Sequence, residues 1–554
     1  MSLDDVTSLG HVHVAIIGSG FSGLGAAIRL KQEGIDAFVV LERGSDVGGT
    51  WRDNTYPGCA CDVPSHLYSF SFAPNPGWSR DFSPQPEIFA YLRGCARRYG
   101  IVPHIRFGTT VTRATWDEDA QKWRIEATTV TRTATSAATS TVTRTVTLSA
   151  NILIGAAGAL SEPAVPKLPG LEKFEGQAFH SARWNHDADL TGRNVAVVGT
   201  GASAIQFVPE IQPTVGKLSV FQRTPPWIMP RRNREISGRE RAVFKAAPAL
   251  QKFARAQIYA VTELFGMGFR HPTLLKPLQR AAEEYLAKSI PDPGLRAKLT
   301  PNYKLGCKRI LFSNKYLRAL AKENVDVVTD SINEVRARSI VTRDGREHPV
   351  DTIIFGTGFH VTDLPFGKYV TGKGGLNLDD VWKGSPQAHL GTTVSGFPNF
   401  FLLLGPNTGL GHTSVVYMIE SQIAYLLSAL RYMRDKGVAT LEPRAEAQAA
   451  FIADVDRRLA KTVWNTGGCA SWYIDKTGRN STLWPDATWR FRRRLAAFKA
   501  SEYRLGRPAS RPSILPRPSR PLPATASEAT ARPVPASTPS RLSIETAPHV
   551  ETQP

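Results

Sequence analysis

The sequence of 554 residues predicts an α/β fold with two Rossmann-like dinucleotide-binding domains, a helical insertion and a disordered C-terminal tail. Three observations lead to this prediction. Two apolar runs are each followed by a glycine loop of the same form, a charged residue follows each loop at the same distance, and a basic stretch with helical periodicity interrupts the second unit. With 42% apolar and 21% charged residues, the composition is that of a globular protein with several cores.

The first unit begins with the apolar run 12–17, which predicts a buried parallel strand. Gly18, Gly20 and Gly23 follow this strand and open a helix, and their missing side chains let the helix N-terminus approach a pyrophosphate. Glu42 lies 24 residues after Gly18, at the end of the next apolar run, where a carboxylate can accept hydrogen bonds from ribose hydroxyls. The first loop therefore predicts a dinucleotide site.

The second unit repeats this arrangement after the apolar run 195–198. Gly199, Gly201 and Ala204 form its loop, and Arg223 lies 24 residues after Gly199. An arginine at this place can pair with a 2′-phosphate, so the second site is predicted to bind NADPH in preference to NADH. The alternative, that both loops are tight turns without a ligand, is disfavoured by the paired spacing.

Aromatic residues and a carboxylate follow the first loop closely. Gly48-Gly49-Thr50-Trp51 continues towards Tyr56 and Asp62, and a flavin ring would fit beside them, so the first dinucleotide is predicted to be FAD. Cys59 and Cys61 are separated by a single residue, which is poor geometry for the redox disulfide of a reductase. The five cysteines include no CxxC pair, so neither a disulfide framework nor a metal site is predicted.

These patterns divide the chain into four parts. Residues 1–165 are predicted to form the first segment of the FAD-binding domain, and 166–350 the NADPH-binding domain with a helical insertion at about 231–300. Residues 351–504 are predicted to return to the FAD domain and to carry a C-terminal loop. Residues 505–554 are rich in Pro, Ser, Ala and Arg and are predicted to be a disordered basic tail.

The formal net charge of +20 is clustered: residues 231–300 contribute +8, 490–499 contribute +5 and 501–554 contribute +3. These clusters lack the alternating aromatic and basic residues of a stacking platform, so no nucleic-acid partner is predicted. Such charge also attracts phosphate-rich cofactors and anionic lipid, and a weak peripheral membrane contact is a further hypothesis. No apolar stretch is long enough to span a membrane and no secretory signal is visible, so a cytoplasmic location is predicted.

A longer gapped motif lies between the two units. The pattern Phe-x-Gly-x-x-x-His-x-x-x-Trp occurs as Phe174, Gly176, His180 and Trp184, with Asn185 next, where Pro or Asp is usual. With both glycine loops and the aromatic segment after the first loop, this motif resembles the fingerprint of the type I Baeyer–Villiger monooxygenases, a branch of the class B flavoprotein monooxygenases. The resemblance covers roughly residues 10–490 of the chain.

The resemblance implies roles for single residues. His180 and Trp184, with Phe174 and Gly176, would lie in the linker between domains and couple NADPH docking to the flavin site. Lys308 would reach the NADPH phosphate. The next residue, Arg309, would be the catalytic group facing the flavin, and Asp62 would orient it as its partner.

Two more segments resemble parts of the family's active site. Trp472 lies in a segment similar to the mobile C-terminal loop that closes over the nicotinamide. Residues 406–409, before the helix containing Met418, resemble a stretch lining the flavin and substrate pocket, although a helix N-terminal turn explains them equally well. The predicted cofactor-binding residues are Gly18, Gly20, Gly23, Glu42, Thr50, Trp51, Tyr56, Gly199, Gly201, Ala204, Arg223, Thr224, Lys308 and Trp472.

The resemblance implies an FAD-dependent, NADPH- and O₂-consuming monooxygenase that converts a ketone to an ester or lactone through a C4a-peroxyflavin. The first alternative is oxygenation of a sulfur or nitrogen substrate, which needs the neutral hydroperoxide; an arginine beside the flavin favours the anion and hence attack on a ketone. The second alternative is a nucleotide-binding redox partner or regulatory protein without oxygenase activity. Identifying the products from one ketone and one thioether separates the first two activities, and failure to consume O₂ with any substrate would favour the third.

Overall fold

The computed structural model describes residues 6–134 and 139–507 of the chain. The strands in chain order are β1 Val6–Ile17, β2 Phe38–Leu41, β3 Ile105–Arg106, β4 Thr109–Asp117, β5 Lys122–Ala134, β6 Thr139–Gly155, β7 Gln177–His180, β8 Asn194–Val198, β9 Lys217–Phe221, β10 Ile228–Met229, β11 Leu311–Phe312, β12 Val325–Val328, β13 Ile332–Arg336, β14 Ser339–Thr342, β15 Glu347–Pro349, β16 Thr352–Phe355, β17 Val370–Thr371, β18 Phe400–Leu402, β19 Thr440–Pro443 and β20 Tyr503–Gly506.

The α-helices are α1 Phe21–Gln32, α2 Thr50–Asp53, α3 Gln85–Arg98, α4 Ala204–Ile211, α5 Gly238–Ala246, α6 Pro248–Arg270, α7 Lys276–Ser289, α8 Pro293–Leu299, α9 Tyr316–Leu320, α10 Leu378–Trp382, α11 Val415–Lys436, α12 Ala445–Leu459, α13 Val463–Thr466 and α14 Thr488–Arg494. Short 3₁₀ helices are Val102–His104, Leu171–Lys173, Ser181–Arg183, Pro272–Leu275, Pro365–Tyr369, Lys373–Gly375 and Ala500–Glu502.

The first sheet has eight strands within the described residues, in the order β17-β4-β5-β6-β1-β2-β3, and β18 also pairs with β6. β1 pairs in parallel with β2 on one side and β6 on the other. Val14, Ala15 and Ile16 are fully buried, as expected for a parallel strand covered on both faces. The glycine loop after β1 therefore lies at the carboxyl edge of the sheet, where α/β folds bind ligands.

The second sheet is wholly parallel and has the order β12-β9-β8-β16-β7. Gly199 follows β8, which lies between β9 and β16, so the second loop also lies at a carboxyl edge. β16 comes after residue 350, and this sheet therefore extends beyond the domain boundary predicted there. The apolar run of β16 supplies the strand between β7 and β8, and the chain returns to the first sheet only at β17.

Helices α5 to α8 occupy the predicted insertion. Ser237 caps α5 by accepting a hydrogen bond from the Glu240 N–H, and Asp292 caps α8 in the same way through Leu295. The inner side of α6 is anchored by Phe269, which is buried and stacks on Trp464 with ring centroids 5.3 Å apart. In residues 6–134 and 139–507, no helix is long and apolar enough to cross a membrane.

Two further sequence predictions need correction. β20 pairs antiparallel with β19, so residues 505 and 506 are ordered in a strand and the prediction of disorder is wrong for them; the predicted tail from residue 508 lies outside the described residues. The structure also joins Cys307 and Cys469 in a disulfide, which the cysteine pattern did not predict. The two cysteines are 162 residues apart, and only the packing of the fold brings them together. Cys59, Cys61 and Cys95 are free and buried.

Candidate active site

The first glycine loop is shaped by two different constraints. At Gly18 φ is +98°, and a Cβ would lie 2.7 Å from the Ala156 carbonyl oxygen; at Gly23 a Cβ would collide with the Gly18 carbonyl. At Gly20, which precedes α1, the nearest atom to a Cβ would be 3.8 Å away. Packing therefore requires glycine at 18 and 23. A Cβ at Gly20 would meet only an ordinary contact with Gly49, so packing does not require glycine there and the helix N-terminus stays uncrowded, as a pyrophosphate site needs.

Glu42 lies buried beneath this loop. Its Oε2 accepts hydrogen bonds from the Ser19 N–H at 2.9 Å and the Ser19 hydroxyl at 2.7 Å. Its Oε1 accepts from the Gly44 N–H and from Arg52 Nη1, both at 2.7 Å. Burial raises the pKa of Glu42, but the Arg52 guanidinium and the other donors outweigh it and bring the pKa below its usual value. Glu42 thus holds the loop together, a role that its sequence position did not reveal.

The aromatic segment after the loop connects the two sheets. Thr50 begins α2, and the buried Trp51 next to it donates from its indole to the Tyr68 hydroxyl at 3.1 Å. The Tyr56 hydroxyl donates to Gln206 Oε1 on α4 at 3.0 Å. Since α4 follows the second glycine loop, the predicted flavin side of the site is attached directly to the predicted NADPH side.

The second glycine loop repeats the geometry of the first. Gly199 has a φ of +106°, and a Cβ there would lie 2.5 Å from the Gly356 carbonyl oxygen. At Gly201 a Cβ would approach nothing closer than this same oxygen, at 3.8 Å. Ala204 is fully buried at the start of α4 and packs against Gly356, where only a small side chain fits. This loop therefore also leaves room for a ligand at its middle glycine.

Two basic side chains lie beyond the second loop. Arg223 is exposed. Burial lowers the pKa of Lys308, and the positive charge of Arg223 lowers it further, so the two cations lie close together. The Lys308 ammonium also lies 5.1 Å from the centre of the Tyr303 ring. The carbonyl of Thr224 accepts a hydrogen bond from Thr200, at 3.3 Å, and so fixes the chain beside the loop. Neither cation forms an ion pair with a carboxylate of the described residues, and both are available to a phosphate.

Arg309 forms a bidentate ion pair with Asp62. Arg309 Nε and Nη2 each donate to one Asp62 oxygen at 2.7 Å, and Nη1 donates to the Leu410 carbonyl at 3.4 Å. Burial opposes both charges, but the pair lowers the pKa of Asp62 and raises that of Arg309, so both stay ionised. The side chains are 27% and 26% exposed, so a fixed guanidinium keeps part of its surface open.

Two neighbours of this pair were missed by sequence reasoning. Arg231 donates to the Cys61 carbonyl and is the second arginine whose charge lowers the pKa of Asp62. Tyr473 is fully buried beside Arg309, and its hydroxyl has no hydrogen-bond partner among the described residues. Burial raises the pKa of Tyr473 to about 12. Arg231 follows strand β10, and Tyr473 lies in a loop far along the chain from both Asp62 and Arg309. No local spacing in the sequence therefore indicated either residue.

The loop carrying Trp472 is tied to the arginine segment. Trp472 is 48% exposed and lies against Tyr473, with ring centroids 4.3 Å apart. Cys469 precedes it by three residues and is bonded to Cys307, the residue before Lys308. Gly467 packs so closely on Cys307 that an added Cβ would lie 2.5 Å from the cysteine Cβ. The disulfide therefore fixes the base of the loop, while Trp472 itself contacts no predicted cofactor-binding residue in the described contacts.

The fingerprint residues lie between the two sheets. Phe174 packs in the core of the second sheet, and Gly176 leaves room for its ring and for the Asp351 carbonyl, where a Cβ would collide. His180 ends β7, and burial lowers its pKa to about 4, so the ring is neutral at neutral pH. The rings of Trp184 and Phe207 are in contact, with their centroids 5.3 Å apart.

Phe207 continues this path to the first sheet. Its ring lies 6.0 Å from that of Tyr56. Trp184 is therefore linked through one aromatic ring to the predicted flavin segment, which supports the predicted coupling role without testing it. Residues 406–409 also lie near Arg309, because the carbonyl of the next residue, Leu410, accepts a hydrogen bond from Arg309. Met418 is buried in α11.

Similarity to known proteins agrees with this arrangement. Residues 11–241 match the model of flavin-binding monooxygenase-like proteins. A Baeyer–Villiger monooxygenase of Streptomyces coelicolor is 52% identical over 90% of this chain and 93% of its own length, and one of Pseudomonas aeruginosa is 50% identical over 89% and 92%. The structure of cyclohexanone monooxygenase from Rhodococcus sp. Phi1 bound to NADP⁺ superposes with a TM-score of 0.77 at 28% identity, over 90% of this chain and 99% of that one.

Two dinucleotide loops lie at the ends of parallel strands in separate sheets, with an arginine–carboxylate pair near both, as expected for a two-nucleotide flavin monooxygenase. With relatives of this similarity, the chain belongs to the Baeyer–Villiger monooxygenase family. The resemblance inferred from the sequence is confirmed.

Proposed function

We propose that this protein uses FAD, NADPH and O₂ to convert a ketone to an ester or lactone. The observation that carries the proposal is the consecutive pair Lys308 and Arg309. Lys308 lies beside Arg223, beyond the second glycine loop, and Arg309 is paired with Asp62, beyond the first. One dipeptide thus brings a phosphate-binding charge and an anion-stabilising charge to the junction of two dinucleotide sites.

The residues present fit both cofactors. The lack of crowding at Gly20 and at Gly201 admits a pyrophosphate at the N-terminus of each helix, and Arg223 and Lys308 supply charges that match a 2′-phosphate. The carboxylate of Glu42 already accepts two hydrogen bonds on each oxygen, so its part in FAD binding is to hold the loop. When bound, the flavin supplies the electron transfer and oxygen chemistry, and the protein supplies positions and charge.

Arg309 stabilises the negative charge that develops when oxygen adds to the substrate carbonyl. It is permanently protonated and held by two hydrogen bonds to Asp62, so it need not reorganise during the reaction. A permanent cation favours an anionic over a neutral oxygen donor, which is why we prefer a ketone over a sulfur or nitrogen compound as the substrate. Tyr473, buried against Arg309, helps to keep this side of the site dry.

The test is to supply the yellow holoenzyme with NADPH, O₂ and either a cyclic ketone or a thioether, and to identify the products. We expect an ester or lactone from the ketone. Sulfoxide without ester would favour the heteroatom alternative, and NADPH-dependent flavin reduction without substrate-dependent oxygenation would favour the redox-partner alternative. The cytoplasmic location stays a prediction.

A further inference from the structure

The outer face of α6 exposes a line of large apolar side chains. Leu250, Phe253, Val261, Leu264 and Met267 are between 40% and 66% exposed. Their spacing of three, eight, three and three residues places them on one face of the helix. At about 1.5 Å per residue, this apolar stripe is roughly 25 Å long. No described residue covers it, although a face of this size is normally buried against a partner.

The apolar stripe continues into a groove beside the end of α6. The groove has a volume of about 430 Å³ and is lined by Leu264, Phe265, Gly268, Leu274 and the start of α7. Leu274 is 56% exposed at its rim. The exposed apolar surface therefore extends over two helices and the turn between them.

Helix α14 adds an aromatic residue and positive charge to this surface. The Tyr259 hydroxyl on α6 lies 3.0 Å from that of Thr488, the first residue of α14, and Arg270 pairs with Asp486 at 2.9 Å. Trp489, which follows Thr488 in α14, is 44% exposed. The guanidinium carbons of Arg490 and Arg493 lie 5.2 and 5.5 Å from the centre of its ring. An exposed tryptophan between arginines is typical of the membrane interface.

Charge surrounds the apolar stripe with one sign in excess. Helices α5, α6, α7 and α14 carry thirteen Lys or Arg against four Asp or Glu. Eight of the thirteen basic side chains remain for a ligand, because one is turned inwards to the His66 carbonyl and four pair with carboxylates outside these helices: Arg255, Arg270, Arg490, Arg492 and Arg494. Of the four acidic residues, Glu240 pairs with Arg234 and Glu263 accepts from Thr488; Glu283 and Glu284 are exposed on α7. Two basic clusters that lie about 200 residues apart in the chain are thus brought next to each other by the contacts between α6 and α14.

We propose that this surface, the outer faces of α5, α6, α7 and α14, docks on an anionic lipid bilayer. The apolar stripe would lie at the boundary of headgroups and acyl chains, Trp489 at the interface, and the Lys and Arg side chains on the headgroup phosphates. A second copy of the chain would oppose like charges, and a nucleic acid would leave the apolar stripe exposed to water. An anionic bilayer matches both properties, and the proposal does not depend on the proposed enzymatic reaction.

The experiment is co-sedimentation of the full-length holoprotein with vesicles of phosphatidylcholine alone and of phosphatidylcholine with an equal amount of phosphatidylglycerol. We expect binding to the anionic vesicles that weakens as salt is raised, because the Debye length shortens. The double variant Phe253→Ser/Leu264→Ser should reduce the partition coefficient by about tenfold or more, since each side chain would bury apolar area worth over 1 kcal/mol. Arg493→Gln should reduce it about fivefold.

Matched controls use exposed residues of the same type outside this surface. Leu160 and Leu376 are 42% and 48% exposed, and Leu160→Ser/Leu376→Ser should bind like the wild type. Arg338→Gln, at a side chain 83% exposed, controls for charge. Flavin absorbance and the unfolding midpoint of every variant verify that it is folded.

Three results would overturn the proposal. Equal binding to neutral and anionic vesicles would remove the charge argument, and unchanged binding of Phe253→Ser/Leu264→Ser would place the contact elsewhere, including the basic segment after residue 507. Dimers that dissociate in this double variant, with no vesicle binding by the wild type, would identify a second copy as the occupant.

Discussion

The two glycine loops share a backbone and differ in what surrounds it. Gly18 and Gly199 both have positive φ and both meet a carbonyl of the neighbouring strand's turn, from Ala156 and from Gly356. After the first loop, the charged residue Glu42 is buried and satisfied by the protein itself. After the second, Arg223 is exposed and has no carboxylate partner among the described residues. The first site is therefore a preassembled cradle, and the second keeps its charge for a ligand.

This difference fits the different tasks of the two nucleotides. A flavin that stays bound through many turnovers needs a loop that is rigid before it binds, and the hydrogen bonds of Glu42 supply that rigidity. A nicotinamide nucleotide that arrives and leaves is attracted by unpaired charge, which Arg223 and Lys308 provide. The two loops can be separated experimentally, and the expected effects below run from the largest to the smallest.

The largest effects are expected at the middle glycine of each loop, Gly20 in the first and Gly201 in the second. Gly20→Val should give a folded but colourless protein, because its side chain fills the space left for the FAD pyrophosphate and not a space used by packing. Gly201→Val should stay yellow and lose reduction by NADPH. Flavin absorbance and stopped-flow reduction measure both effects.

The control for both valines is Gly94→Ala on α3, where a Cβ would meet nothing within 4 Å. It should retain flavin and its reduction by NADPH. A fully yellow Gly20→Val variant would contradict the assignment of FAD to the first loop.

Arg309 lies where the two sites meet, so its loss should separate their half-reactions. Arg309→Ala should leave flavin reduction by NADPH largely intact and lower ester formation on the order of 10² to 10³-fold, as expected for one preorganised charge-stabilising donor. The reducing equivalents should then appear as hydrogen peroxide. Stopped-flow reduction, product analysis and a peroxide assay on the same sample measure this split.

Arg309→Lys is the informative companion variant. It keeps the charge but cannot form two parallel hydrogen bonds to Asp62, so its ester yield should fall between those of the wild type and the alanine variant. A normal ester yield from Arg309→Ala would disprove the proposed role of the guanidinium.

The sequence predicted what depends on local spacing. The two loops and the strands before them were identified from spacing within short motifs. The pairing of Arg309 with Asp62 was implied by the family resemblance instead, because the two residues are 247 positions apart in the chain. The disulfide between Cys307 and Cys469, the buried Tyr473 and the four donors on Glu42 were not predicted. The disulfide and the position of Tyr473 depend on packing between segments far apart in the chain, and the donors on Glu42 depend on how the nearby loop folds back over it. No periodicity of the sequence records either.

The second loop's free charge is tested by nucleotide preference. Arg223→Ala should reduce the preference for NADPH over NADH about tenfold, the lower end of the 1.5–3 kcal/mol expected for a charged hydrogen bond, because the arginine is exposed. The ratio of kcat/KM for the two nucleotides measures it. Arg338→Ala, at an exposed arginine in the turn between β13 and β14, should leave the ratio unchanged. An unchanged ratio in Arg223→Ala would show that Arg223 does not contact the 2′-phosphate.

The role of Glu42, the buried charge of the first loop, is tested by how the free energy of unfolding changes with pH. This is the smallest of the expected effects. The pKa of Glu42 is lowered in the folded protein, so its contribution to stability is present above the ordinary glutamate pKa of about 4.3 and is lost as pH falls through the lower folded value. Glu42→Gln should be less stable than the wild type at pH 7. Below about pH 4.3 its unfolding free energy should fall less steeply, by at most about 1.4 kcal/mol per pH unit for one proton. This dependence of stability on pH should not vanish in Glu42→Gln, because Asp62 also has a lowered pKa.

Denaturant unfolding between pH 7 and pH 3.5, with the exposed Glu172→Gln as control, measures the difference. Parallel curves for Glu42→Gln and wild type would mean that the loop does not depend on this carboxylate.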